Sequence, residues 1–172
     1  LTLLQFDAHP NLRSSYENHR FGRMTVMNRL YEDLPITQVG IRCLNEEEAN
    51  LTDKGNVSTF FMHDIQQQAL KSELIPSILE GLSSHVYVSL DMTVFDPALC
   101  PGTNLPEPGG MSWNAVLDVL RAVARERDIV AMDVVEIAPI PGSSITEYVA
   151  ARMVYKVMGF LAQFRQWPEM EV

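Results

Sequence analysis

Four strand-like runs, at residues 1–6, 36–41, 85–90 and 129–135, constrain this chain more than any other feature. Several are apolar on both faces and do not alternate, the pattern of strands buried in a parallel sheet. A weaker fifth run covers 57–62. Between the runs lie helical patterns. Short ones are expected at 22–32 and 45–51, and another at 75–82, where Pro76 is tolerated in the first turn. Residues 112–125 start on Ser112 as N-cap and place Val116, Leu117, Leu120 and Val123 on one face. The last helix, about 145–163, follows a Pro-Gly-Ser-Ser turn. Strands alternating with helices imply right-handed βαβ units. The expected fold is α/β, a three-layer α/β/α sandwich on a mostly parallel sheet, as one domain over residues 1–172. The Pro/Gly-rich span 97–110 is too long for a simple connector and reads as a functional loop at a strand's C-terminal end.

At 172 residues the chain can bury a sizeable core, and 47% hydrophobic with 20% charged residues is ordinary for a globular protein. A net charge of −9 argues against a nucleic-acid partner, whose phosphates it would repel. No apolar run is long enough to cross a bilayer, so no membrane role is expected. Cys43 and Cys100 lack metal-site spacing and read as free thiols of a cytoplasmic protein, with one disulfide as the alternative. The first residues, LTLLQF, carry no cationic region or cleavage pattern and are not a signal peptide. They read as a core strand already under way, as in a portion of something longer whose N-terminal part is absent.

Acidic and histidine residues gather at strand ends. Asp7-Ala8-His9 follows the first run, Asp91 the third strong one, and Asp133 and Glu136 lie in or after the last. In an open parallel sheet those ends share one edge, where ligands bind. Asp with His is a mixed oxygen and nitrogen set that suits Mn, Zn, Ni or Fe better than Mg or Ca alone. The plainer reading, Asp residues that cap the next helix, fits one such position better than it fits Asp7-Ala8-His9 and Asp91 together.

These residues carry a resemblance. Asp7-Ala8-His9-Pro10-Asn11 resembles the Asp-Ala-His-x-Asp signature of the ureohydrolases, the arginase, agmatinase and formiminoglutamase superfamily. Ser89-Leu90-Asp91-Met92-Thr93-Val94-Phe95-Asp96-Pro97 resembles its Ser-x-Asp-x-Asp-x-x-Asp-Pro signature. Pro101-Gly102-Thr103 and Pro106-Glu107-Pro108-Gly109-Gly110 look like the loop that follows, nearest in pattern to the agmatinase-like branch. Asp133-Val134-Val135-Glu136 looks like its Asp-x-x-Glu segment, and the match runs in order from residue 1 to about 162. The resemblance implies a guanidine hydrolase with a pair of Mn(II) ions, an arginase-like fold of which this is the C-terminal portion, and a trimer or hexamer. It implies Asp7, His9 and Asp91 as retained metal ligands and Glu136 as the carboxylate that orients a substrate guanidinium.

The chain departs from that pattern. Asn11 and Thr93 stand at ligand positions where the family has aspartates, which removes two negative charges from a site for two dications. Asn11 could still offer a carbonyl oxygen and Thr93 a hydroxyl. The Gly-Gly-Asp/Glu-His segment that supplies a further ligand does not occur. Arg23 falls at the position of the family's proton-shuttle His, and arginine is no acid or base near neutral pH. Its guanidinium is expected to bridge to Asp7 or Asp91 and plug the old site, a surface role being the alternative. His19 is a weaker substitute for the lost His. His63 and His85 read as capping or surface residues, and Tyr16 and Glu17 as possible pocket lining.

Three readings stay open. One is a non-catalytic homologue with no metal or one divalent ion, structural or regulatory, as a homo-oligomer or a hetero-oligomer with an active relative. The alternative is an active metal-dependent amidinohydrolase cleaving a guanidino compound such as agmatine, its missing ligand supplied from outside this sequence. The third is a sensor that binds a guanidino small molecule through Glu136 without turnover.

Overall fold

The computed structural model describes residues 1–52, 54–67 and 70–165. The five runs form the five strands of one sheet: β1 (Thr2–Phe6), β2 (Ile36–Ile41), β3 (Val57–Phe61), β4 (His85–Asp91) and β5 (Asp128–Val135). Their order is β3-β2-β1-β4-β5 and every neighbouring pair is parallel. The order reverses between β1 and β4, and the crevice beyond the C-terminal ends of strands at such a switch point is where ligands bind in open α/β sheets. The weakest run, β3, is an edge strand with only its first residue, Val57, buried, which explains its weak signal.

The two faces are covered unequally. On one, Leu4, Phe6, Val39, Val86, Val88 and Leu90 pack against α2 (Met62–Gln67), α3 (Ile75–Glu80), α4 (Trp113–Glu126) and α5 (Ile145–Phe164). On the other, Leu3, Ile36 and Val57 meet Leu12 and Met27, with Leu30, Leu34 and Leu51 at the margin. The helix expected at 22–32 is two separate 3-10 turns, Arg23–Thr25 and Met27–Arg29. The Thr25 hydroxyl donates to the Arg20 and Gly22 carbonyls, which ties the segment into a tight turn that a continuous helix would not make. The segment at 45–51 is a single turn, α1 (Glu46–Ala49), capped by the Asn45 side chain on Glu48 N.

Ser112 caps α4 as its position requires, accepting from Ala115 N at 3.2 Å. The buried face of α4 is Val116, Val119, Leu120 and Val123, with Leu117 at its margin. The short helix α2 and the π-turn Leu70–Leu74 before α3 carried no clear periodic signal. No helix among the described residues is long and apolar enough to cross a membrane.

Candidate functional site

Successive side chains of a strand point to opposite faces, so Leu3, Gln5 and Asp7 of the β1 segment share one face, as do Tyr87, Ser89 and Asp91 of β4. Gln5 sits in register with Ser89 on one side and Gln38 on the other. Asp7 follows the last residue of β1, Asp91 is the last of β4, and Glu136 follows β5. Adjacency of β1, β4 and β5 therefore brings the expected site residues to one end of the sheet.

Asp7 is buried and fully occupied. Its Oδ1 accepts from His9 N at 2.8 Å and its Oδ2 from Gln5 Nε2 at 2.8 Å and Asn11 Nδ2 at 2.7 Å. Thr93 Oγ1 lies 2.9 Å from Asp7 Oδ1 and 2.5 Å from Asp91 Oδ1. A hydroxyl carries one proton, so each contact has a proton of its own only when one of the two carboxyls is protonated, and that one is Asp91. Burial and then the neighbouring Asp7 charge favour that state, lifting the Asp91 pKa to about 8, against the opposing hydrogen bonds from Thr93. Asn11, in the left-handed region at φ 55°, turns its amide nitrogen to Asp7, so the group expected to offer a carbonyl oxygen to a metal acts here as a donor.

His9 is buried with Nδ1 3.4 Å from Asp7 Oδ1 and Nε2 3.7 Å from Glu107 Oε1. Burial opposes its protonation, but Asp7, Asp91 and Glu107 together outweigh this and raise its pKa.

Arg23 does not reach Asp7 or Asp91 as expected. Its Nη1 donates to Glu136 Oε1 at 3.1 Å, and the other carboxylate oxygen accepts from Asn104 Nδ2 at 3.0 Å. The pairing follows from the fold: the 3-10 turn carries Arg23 toward the end of β5, where the left-handed backbone of Glu136 (φ 59°) presents its side chain. The Arg23 side chain is 51% exposed and that of Glu136 17%. His19 is exposed and its backbone pairs with Tyr16, so it does not join the cluster. Tyr16 is exposed beneath Arg13, and Glu17 is exposed on the same turn.

The sequence reading missed the residues that hold the cluster. Gln38 Nε2 donates to Gln5 Oε1 at 2.7 Å and to the Pro10 carbonyl at 2.8 Å, and Thr59 Oγ1 donates to Gln38 Oε1 at 3.1 Å. Two buried amides, Gln38 on β2 and Gln5 on β1, thus relay hydrogen bonds from Thr59 on β3 into Asp7. The signal was a glutamine in the middle of each of two apolar strands. Glu48, the only buried residue of α1, accepts from Leu12 N and Arg13 Nε and anchors the loop after β1. Arg42 clasps the other loops, with hydrogen bonds to the Gly40, Thr93, Phe95, Glu107 and Pro108 carbonyls. Gly110 closes the same loop against β4's extension, where an added Cβ would lie 2.4 Å from the Phe95 carbonyl carbon.

Two spaces adjoin the cluster. One, about 20 Å³, lies between His9, Asn11, Asp91, Thr93 and Arg23. The other, about 540 Å³, opens along the less covered sheet face between Leu3, Met27, Tyr87, Asp133 and Glu136. Asp133, in β5, accepts from Tyr87 Oη at 2.8 Å and Ser89 Oγ at 2.9 Å.

The chain is similar to known proteins over most of its length. The chain is 37% identical over 172 residues to the N(1)-aminopropylagmatine ureohydrolase of Thermus thermophilus, covering 99% of this chain and 57% of that protein. It is 29% identical over 159 residues to the agmatinase of Pyrococcus horikoshii, covering 92% of this chain and 54% of that protein. Among solved structures, the agmatine ureohydrolase of Thermoplasma volcanium superposes with a TM-score of 0.85 at 28% identity, covering 95% of this chain and 56% of that one. The chain therefore spans a little over half the length of these relatives. The arginase-family model matches residues 1–159, and the chain belongs to the arginase family.

Proposed function

We infer that this chain is a non-catalytic member of its family, in which the site for two metal ions has given way to a hydrogen-bonded cluster. One observation carries the reading: Asn11 and Thr93 turn hydrogen-bond groups toward the very carboxylates, Asp7 and Asp91, that a pair of cations would need to share. Both positions lack the negative charge that would offset two dications. The space between His9, Asn11, Asp91 and Thr93 is about 20 Å³, close to the room one water needs. These residues do not fit two cations bridged by carboxylates: Asp91 favours its protonated form, and Asp7 is surrounded by N–H donors. Such a chain serves as a structural or regulatory subunit of a trimer or hexamer in the cytoplasm, with an active relative as a candidate partner.

A second reading is supported by a separate observation. Glu136 holds a guanidinium, that of Arg23, beside the cavity of about 540 Å³. An active amidinohydrolase that completes its metal set from residues beyond this sequence, or a sensor of guanidino compounds, would use that carboxylate.

Metal analysis and urea release decide between them. The purified protein, loaded with Mn(II) and offered agmatine or N(1)-aminopropylagmatine, is expected to hold fewer than two ions per chain and to release no urea above background. Two ions with urea release would overturn the non-catalytic reading.

A further inference from the structure

We propose that His9, through its Nε2 edge, forms with Cys43 and Glu107 a binding site for a single thiophilic divalent cation of the Zn(II) or Co(II) class, sharing only His9 with the ligand set that the family's two ions would use. One ligand atom from each residue lies within 4.8 Å of the other two. Tetrahedral coordination with bonds of about 2.0–2.3 Å brings ligand atoms somewhat closer than that, so small side-chain rotations complete the set. Three protein ligands leave a fourth position, and the partial exposure of Cys43 and Glu107 opens it to water.

The three side chains are delivered by a built scaffold. The Arg42 and Cys43 amides both donate to the Ala8 carbonyl, at 2.9 and 3.0 Å, which fixes the thiol beside the residue that precedes His9. Arg42 Nη2 donates to the Glu107 carbonyl at 2.7 Å and holds the loop over the same point. The residue adjacent to Cys43 therefore clamps the third ligand in place.

His9 is already oriented for the task. Its Nδ1 faces Asp7 and its Nε2 faces Glu107. A carboxylate on one ring nitrogen leaves the other as the metal ligand, the usual outer-shell arrangement for a metal-bound histidine. A cation at this point would take the place of the Cys43 thiol proton, released to solvent. Thiolate and carboxylate then supply two negative charges against one dication. A thiolate with imidazole selects Zn(II), Co(II), Ni(II) or Fe(II) and disfavours Mg(II) and Ca(II).

The test is a Co(II) and Zn(II) titration of the metal-stripped full chain. We expect one ion per chain, a thiolate-to-Co(II) charge-transfer band, and loss of that band in Cys43→Ser. Cys43→Ser should weaken Zn(II) binding by more than the roughly 10–100-fold that loss of an outer-shell partner costs, and Glu107→Gln by at least about tenfold. Cys100→Ser should leave both readouts unchanged, and near-UV circular dichroism of the metal-free variants shows that each is folded. No band in the unaltered chain, or binding that survives Cys43→Ser and is lost in Asp91→Asn, would overturn the site. Two ions with urea release would instead overturn the non-catalytic reading, so the two failures are separable.

Discussion

The Asn11 side chain donates to Asp7 Oδ2 at 2.7 Å, so the amide that replaces a carboxylate stabilises its neighbour's charge where a carboxylate would oppose it. Thr93 acts alike between Asp7 and Asp91. The two substitutions form one unit around Asp7 and Asp91.

Restoring both carboxylates tests that unit. Asn11→Asp with Thr93→Asp would place two further acids among buried ones with no cation, at a cost on the order of 3–5 kcal/mol for an uncompensated buried charge. The melting temperature of the metal-free double variant should fall, and Mn(II) should raise it again. The unaltered chain should show little Mn(II) dependence in the same melts.

Asp91 makes stability depend on pH with a definite sign. Its carboxyl titrates near 3.9 when unfolded and is raised to about 8 when folded, so the folded chain holds the proton more tightly. Below about pH 4 both states are protonated and the group costs nothing. Between about pH 4 and 8 the unfolded state gives up its proton and the folded state does not, so this group's contribution falls as pH rises, levelling above about 8. Asp91→Asn, whose amide can donate to Thr93, should flatten that slope in denaturant melts from pH 4 to 9. An unchanged slope would show that other groups set it.

Arg23→Ala releases Glu136. Because the arginine is half exposed, the pair contributes only about 0–1 kcal/mol, and stability should scarcely change. Affinity for guanidinium or agmatine, measured by calorimetry, should rise, since the internal guanidinium no longer competes. Glu136→Gln should then remove the gain.

Gln5→Ala leaves Gln38 and Asp7 each short of a buried partner. Unsatisfied buried groups cost about 1–3 kcal/mol each, which chemical denaturation would read directly.

The strands and the long helices were legible because burial imposes a pattern on the sequence: mostly apolar runs on both faces in β1, β2 and β4, and period near 3.6 with a Ser112 cap in α4. The segment 22–32 was misread since its Met and Leu residues have helical spacing, while the Thr25 hydroxyl ties the chain into turns. Signature spacing singled out Asp7, His9, Asp91 and Glu136, which the sheet order gathers at one end, but said nothing about hydrogen-bond direction. The partner of Arg23 depends on where a loop travels, which periodicity does not encode. Gln5, Gln38, Glu48 and Arg42 look like scattered polar residues until the sheet order places them side by side.

Arg42 ties the loop between Thr93 and Pro108 with a cation that belongs to the chain and cannot diffuse away. The rim of the cleft keeps its contour whatever the solution supplies. The backbone of that loop is therefore held by a permanent internal charge, where a bound ion would hold it only while occupied.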